Sequence, residues 1–322
     1  MIKQVLSPEN KETFRIEYMI GNTCNYKCWY CFADANTGTH RWNEDYDLVL
    51  KNFLHLCEYQ DKNNNKKHFD IFLAGGEPTL WPMLGNFVQD LKHHLPSCTI
   101  SMSSNASRTL RWWQEYSKYF DKILLSCHHE SVDIEHFIKV ADTVHESGTL
   151  VNTMVLMDAT HWDKCTTIID KLHTSQYPWF ITATEVLTDK FNYTKEQIDF
   201  IAQPNKRMPS MDYLIEYKHL LKGNPTVIDE NNTYKEVERN WISLNNLNNF
   251  YGWSCNLGVD SIYIDKDGTL TGSCRHKIYQ EEQYNLYQED FIQKFNPSIE
   301  PIVCTKKLCL CQDEIILDKI KL

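Results

Sequence analysis

An α/β protein built around a parallel sheet is the reading that three features of the sequence support. Six strand-like segments alternate with helix-like ones between about residues 13 and 190, the pattern of βαβ units. The short motifs rich in Cys, Gly and Asn fall directly after strand-like segments, where parallel α/β folds place their chemistry. Beyond about residue 190 the alternation stops, and five of the chain's twelve cysteines crowd the last third.

The elements follow in order. FRIEYMIG (13–20) has the β-branched and aromatic content of a strand and leads into a cysteine loop. EDYDLVLKNFLHLCEY (44–59) has helical spacing with acids in its first turn, which suits the positive end of the helix dipole. HFDIFLAGG (68–76) is a strand ending in glycines, and TLWPMLGNFVQDLKHHL (79–95) a helix despite Pro82. CTISMSSN (98–105) is a strand and SRTLRWWQEYSKYF (107–120) a helix; DKILLSCHH (121–129) is the fourth strand. The helix SVDIEHFIKVADTVHESG is opened by Ser131 and closed by Gly148. TLVNTMVLM (149–157), THWDKCTTIIDKLHTS (160–175) and WFITATEVL (179–187) complete the series as strand, helix, strand. Right-handed crossovers allow either an open doubly wound sheet or a partial barrel. EQIDFIAQ and MDYLIEYKHLL read as helices, and residues 223–250 are polar and asparagine-rich, reading as linker or irregular structure. A new module begins near Trp253 with a hairpin, SIYIDKDGTLTGSC, that turns at Asp267 and Gly268.

Composition narrows the function classes. The 322 residues suggest two domains, or one large α/β domain with an appendage. Acids outnumber bases 43 to 33, net charge −10, which disfavours a broad nucleic-acid or anionic-membrane surface. No apolar run approaches the ~18 residues of a membrane span, and MIKQVLSPENKETF lacks the apolar core of a signal peptide. A cytoplasmic protein is expected.

Twelve cysteines in a chain of this size, without an export signal, do not read as a disulfide framework. Cys57, Cys98, Cys127 and Cys165 stand alone in apolar segments and read as core packing. Two groups remain. In TCNYKCWYCF, Cys24, Cys28 and Cys31 put three thiolates in eight residues with no histidine among them. That favours a soft-ligand site, zinc or iron–sulfur. Zinc requires a fourth ligand, and His40 is the nearest nominal one; otherwise the fourth coordination position is open.

Cys-x3-Cys-x2-Cys flanked by Tyr30 and Phe32 resembles the radical S-adenosylmethionine superfamily. The resemblance implies that Cys24, Cys28 and Cys31 hold a [4Fe–4S] cluster whose fourth iron chelates S-adenosylmethionine. Reductive cleavage of the sulfonium then yields a 5′-deoxyadenosyl radical that abstracts hydrogen; the cofactors carry the hard chemistry and the protein orients it. LAGGEPTL, with Gly75, Gly76 and Glu77, resembles the family's GGE motif, whose glycines admit close backbone approach and whose polar groups meet the methionine ammonium. SMSSNAS is similar to the family's Thr-Asn-Gly segment, with Asn105 at the matching asparagine, Ser103 nearby, and Ala106 where the family often has glycine. LLSCHHE ends the fourth strand where the family places cofactor contacts, making Ser126 and His128 candidates. The resemblance covers about residues 13–190 and implies a partial (β/α)6 barrel open on one side, with a boundary drawn at residue 215 and a linker over 216–252.

The second group resembles the auxiliary-cluster modules called SPASM and Twitch domains. Cys255 and Cys274 bracket the hairpin as Cys-x12-Gly-x5-Cys, one residue longer after the glycine than that family's pattern; Cys304, Cys309 and Cys311 follow. Five cysteines are too few for two clusters, so the resemblance implies a small Twitch-like domain over 253–322 with one auxiliary [4Fe–4S] cluster. Cys255, Cys274, Cys309 and Cys311 are the expected ligands and Cys304 the odd one out; a structural zinc site is the rival. A redox-active auxiliary cluster fits an oxidation or bond formation with loss of hydrogen.

The expected function is therefore hydrogen abstraction from a small metabolite such as a sugar, cyclitol or amino-acid derivative, with flavodoxin or ferredoxin as external electron donor. Peptide-modifying relatives often carry an additional N-terminal recognition domain, and a barrel starting near residue 13 leaves no room for one, which tilts the reading away from peptides. A peptide or protein side chain is the alternative, and a non-catalytic iron–sulfur or zinc protein the second. Trp112, Trp113, Trp179, Trp241 and Trp253 read as packing residues. Glu185 and the Arg275–His276 pair are weaker candidates for facing substrate.

Overall fold

The computed structural model describes residues 2–31, 35–186, 193–203, 215, 217, 220, 223–274, 277–279, 283–309 and 314–322. The strands begin with β1 (Ile2–Leu6) and β2 (Thr13–Met19). Five β/α steps follow: α1 (Tyr46–Asn64), β3 (His68–Ala74), α2 (Leu84–His94), β4 (Thr99–Ser104), α3 (Leu110–Tyr116), β5 (Lys122–Cys127), α4 (Ile134–Glu146), β6 (Leu150–Met157), α5 (Trp162–Leu172) and β7 (Phe180–Glu185). β2 through β7 lie side by side in chain order, every pairing parallel. All six expected strands are present, and the α/β core is that of a partial barrel.

Burial explains the order. β3 alternates between buried Phe69, Ile71 and Leu73 and half-buried His68, Asp70, Phe72 and Ala74. The buried set packs under helices: Val49, Phe53 and Leu56 of α1, at helical spacing, join Phe87, Val88 and Leu91 of α2 in one core. Each such side chain contributes about 1.5–3 kcal/mol when fully buried. The opposite face is half-buried and polar, with Glu17, Ser101, Asn152 and Thr182 on it. Caps set the helix ends. Asp45 accepts from Leu48 N at 3.0 Å to start α1, and Asp133, not Ser131, starts α4 by accepting from His136 N at 3.1 Å. Gly148 closes that turn with φ +84°, a value that favours glycine.

The remaining chain extends both this sheet and a second one. Its described elements are α6 (Lys195–Ala202), β8 (Thr226–Asp229), β9 (Tyr234–Glu236), α7 (Arg239–Leu244), β10 (Trp253–Cys255), β11 (Ser261–Ile264), β12 (Leu270–Thr271), α8 (Phe291–Lys294), β13 (Ile302–Val303) and β14 (Lys319–Lys321). β11 joins β2 in parallel and carries β12 as an antiparallel hairpin partner, turning through Gly268 at φ +85°. The other strands form a second, antiparallel sheet in the order β13-β10-β14-β1-β8-β9.

Two expectations change here. Residues 223–250 are not linker throughout: β8, β9 and α7 lie within them, because Val227 and Val237 are buried in one cluster with Val5 and Ile242. The start of β10 at Trp253 coincides with the expected start of the C-terminal module, yet β14 pairs with β1 and β11 with β2. That segment is therefore woven into both sheets. Cys57, Cys98, Cys127 and Cys165, together with Trp112, Trp113 and Trp179, are core residues, each at most 7% exposed. Among the described residues, no helix is long and apolar enough to cross a membrane.

Candidate active site

The cysteine loop leaves β2 at the C-terminal edge of the sheet, and Asn22 shapes it. The side chain of Asn22 is fully buried. It donates to Thr37 Oγ1 (2.8 Å) and Thr39 Oγ1 (2.9 Å) and accepts from His40 N (2.7 Å). One amide thus pins both ends of a loop that contains all three cysteines. His40 is exposed and its Nδ1 lies 3.1 Å from Thr39 Oγ1, so the geometry does not turn it into the cysteine group.

Cys24 and Cys31 are half-buried and Cys28 is buried. Burial pushes the Cys24 thiol up, and nearby Glu77 and Cys31 add to the rise. Cys28 is pushed up to about 12 by burial, then by Glu130 and Cys24. Thiols that raise one another in this way share a small volume, and a cation placed among them reverses the effect by stabilising thiolates.

The glycine turn after β3 lies directly against this loop. Gly76 N donates to Gly21 O and Glu77 N to Thr23 O, both at 2.9 Å. A Cβ on Gly75 would sit 2.8 Å from Gly21 O, and one on Gly76 2.4 Å from Thr23 O. Both glycines are required by this approach.

Glu77 is 3% exposed, and its carboxylate accepts four hydrogen bonds. Oε1 takes Thr79 N (3.1 Å), Thr79 Oγ1 (2.6 Å) and Ser104 Oγ (2.8 Å), and Oε2 takes Asn105 N (2.6 Å). Burial raises the pKa of Glu77, and these donors offset part of the rise. The side chain ties the turn after β3 to the turn after β4. Asn105 carries the tie onward: its Nδ2 donates to Asn25 Oδ1 at 3.0 Å and approaches Cys24 Sγ at 3.9 Å.

Ser104 makes the contact to Glu77, and Ser103 is half-buried on the opposite face of β4. Ala106 has φ +62°, in the left-handed region where glycine is at ease. Ser126 is buried at the end of β5, beside Met154 of β6. His128 meets the cysteine loop: Tyr30 Oη lies 3.1 Å from His128 Nδ1, and the rings stack at 5.9 Å. Burial pushes His128 down to about 4, so its imidazole is neutral. A cleft lined by Tyr26, Asn105, Ser107, Thr109, Ser131 and His136 opens beside the loop. Glu185 is exposed at the end of β7. Phe32, Arg275, His276 and Cys311 lie outside the described residues. Asn22, Ser104 and Glu130 carry no motif signal, because their roles depend on turns brought together from distant sequence.

At the other end, Cys255 and Cys309 are buried and Cys274 and Cys304 half-buried. Cys304 lies next to β10, its N donating to Trp253 O at 2.8 Å. Burial raises the Cys255 thiol, and Cys304 is close enough to add to that rise. The Cys274 amide donates to Glu314 Oε2 at 3.2 Å, and Glu314 is 3% exposed.

Comparisons with known proteins bear on this site. A 131-residue stretch is 28% identical to the S-adenosylmethionine-dependent nucleotide dehydratase RSAD2 of Oncorhynchus mykiss, covering 39% of this chain and 35% of that protein. A 159-residue stretch is 28% identical to an S-adenosylmethionine-dependent nucleotide dehydratase of Thermoplasmatales archaeon (strain ISO4-H5), covering 44% of this chain and 51% of the relative. The matched segments thus span about a third to a half of these relatives. Among solved structures, anSMEcpe with bound AdoMet and peptide superposes with TM-score 0.51 at 14% identity, covering 88% of this chain and 81% of that one. Streptococcus suis SuiB bound to its precursor peptide SuiA gives 0.50 at 15%, covering 87% and 64%. At such identities the likeness is one of fold. Residues 18–172, which hold the cysteine loop, the glycine turn and the strand ends around them, match the model of the Radical SAM superfamily.

Proposed function

We propose that this chain is an S-adenosylmethionine-dependent radical enzyme in which Cys24, Cys28 and Cys31 hold a [4Fe–4S] cluster. The observation that carries the reading is the continuous set of contacts from Cys24 through Asn105 to Glu77, which locks three strand-end turns around three clustered thiols. When bound, the cluster and S-adenosylmethionine supply one-electron cleavage of a sulfonium and hydrogen abstraction. The protein's own part is positional. Gly75 and Gly76 bring backbone up to the cysteine loop, Asn105 and Asn25 fix the loop near Cys24, and Tyr30 packs its far end on His128.

The substrate we infer is a small polar molecule. Glu17, Ser101, Asn152 and Thr182 line the open face of the sheet with hydrogen-bonding groups, and relatives named nucleotide dehydratases make nucleotides the first class to try. A peptide side chain is the second reading. It is favoured by the extent of the likeness to anSMEcpe and SuiB, both solved with peptides and matching 87–88% of this chain. For the C-terminal cysteines we propose one auxiliary [4Fe–4S] cluster. The proximity of Cys304 to Cys255 favours including Cys304 among its ligands rather than leaving it out. An external flavodoxin or ferredoxin as electron donor belongs to the same proposal.

The test is anaerobic incubation of reconstituted protein with S-adenosylmethionine and dithionite, alone and with nucleotide or peptide pools. The expected result is 5′-deoxyadenosine that rises with one pool and disappears in Cys28→Ala. No 5′-deoxyadenosine from protein that retains its iron contradicts the proposal.

A further inference from the structure

A second group of metal-ligand side chains stands at the same end of the sheet, in the turns after β5 and β6. Asp158 is fully buried, and its two oxygens have separate partners. Oδ1 accepts from Thr160 N (2.7 Å), Thr160 Oγ1 (2.7 Å) and His161 N (3.2 Å), which holds the turn. Oδ2 faces two imidazoles, with His161 Nδ1 at 3.1 Å and His129 Nε2 at 3.6 Å. The two rings stack at 4.9 Å. One ligand atom from each of the three residues lies within 4.8 Å of the others.

Two observations do not suit a purely structural trio. The 3.6 Å separation from His129 is too long for a hydrogen bond. His129 is also 2% exposed, and its Nδ1 is buried with no hydrogen-bond partner. The nitrogen that faces Asp158 is Nε2, just beyond bonding range of Oδ2, and an ion between the two supplies the partner that burial demands there; Nδ1 is not the ligand atom in this arrangement. The separations of 3.1 and 3.6 Å bracket the edge of a tetrahedron with metal–N/O bonds of about 2.0–2.1 Å, which is about 3.3 Å.

We propose that His129, Asp158 and His161 bind one divalent first-row transition ion, zinc by the chemistry of the donors, at a site separate from the cysteine loop. Two imidazoles and one carboxylate with no sulfur suit a mononuclear borderline ion and not an iron–sulfur cluster. The ion joins the turn after β5 to the turn after β6. It keeps an open coordination position on the outer side, where the His161 side chain is 57% exposed. Tyr30 stacks on His129 at 6.4 Å as well as on His128, so the ion also steadies the surface on which the cysteine loop rests.

Zinc K-edge X-ray absorption and metal analysis of the reconstituted iron-loaded protein, given one equivalent of zinc and passed over chelating resin, test this. The expected result is about one zinc per chain in a nitrogen/oxygen shell near ~2.0 Å with imidazole scattering. His161→Ala removes an exposed ring whose backbone amide still caps Asp158, so its fold is preserved. It is expected to lower zinc retention at least tenfold with iron content unchanged. His129→Ala, if it folds, is expected to do the same. Sulfur scattering near ~2.3 Å, full zinc retention by His161→Ala, or no zinc retained by wild type overturns the proposal.

Discussion

Replacing Glu77 with glutamine separates two roles that a glutamate in a glycine-turn motif can have. If the carboxylate serves mainly the cofactor, the cofactor-free chain is indifferent to the change. The geometry gives the carboxylate a structural role, because four protein donors converge on it. Glutamine's single carbonyl oxygen retains the three donors on the Oε1 side and turns its NH2 toward Asn105 N–H, donor against donor. The loss is one hydrogen bond to a charged group, about 1.5–3 kcal/mol, plus a stranded buried amide at about 1–3 kcal/mol. Removing a carboxylate whose ionisation burial disfavours returns part of this, leaving about 2–3 kcal/mol. Glu77→Ala strands every donor and is expected to cost about 3–5 kcal/mol, as for other broken buried charged networks. Guanidinium unfolding of the cofactor-free chain under anaerobic conditions measures both. If Glu77→Gln unfolds within about 0.5 kcal/mol of wild type, the range of a neutral change, while binding S-adenosylmethionine less well, the tie between turns is not what this residue does.

Two other expectations concern the same loops. Cys28, held up to about 12 by burial and by Glu130 and Cys24, is expected to react with iodoacetamide in the cofactor-free protein at a rate that climbs about tenfold per pH unit from 7 to 10. The thiolate fraction below a raised pKa grows by that factor; a plateau near pH 8.5 in peptide-level mass spectrometry refutes the shift. Ala106→Gly is expected to stabilise the chain by about 0.5–1 kcal/mol, because relief of a left-handed alanine at φ +62° exceeds the added freedom of the unfolded chain. Thermal unfolding reads this directly, and a destabilised variant contradicts it.

The core was legible because its signals are local. Phe69, Ile71 and Leu73 alternate within one strand, and Val49, Phe53 and Leu56 repeat within one helix, so a reader of either segment sees the buried face. The second sheet had no such signal. Its strands are two to five residues long, and Gln4 pairs with Ile320 across nearly the whole chain. The hairpin around Gly268 could be seen from its turn residues, but not that its first strand would dock beside β2. At the site, spacing identified which residues matter more readily than which way they face. The glycine turn lies against the cysteine loop, Glu77 turns inward, and Ser104 donates to it. Motif spacing carries residue type; strand pleat decides direction.

The most direct test of the account is the iron and sulfide content of anaerobically reconstituted protein, wild type beside Cys24/Cys28/Cys31→Ala, with electron paramagnetic resonance of the reduced wild type before and after adding S-adenosylmethionine. The account predicts that the triple substitution removes about four irons and that S-adenosylmethionine changes the wild-type spectrum, as a cluster with one open iron requires. Iron content untouched by the substitution, or a spectrum indifferent to S-adenosylmethionine, contradicts it.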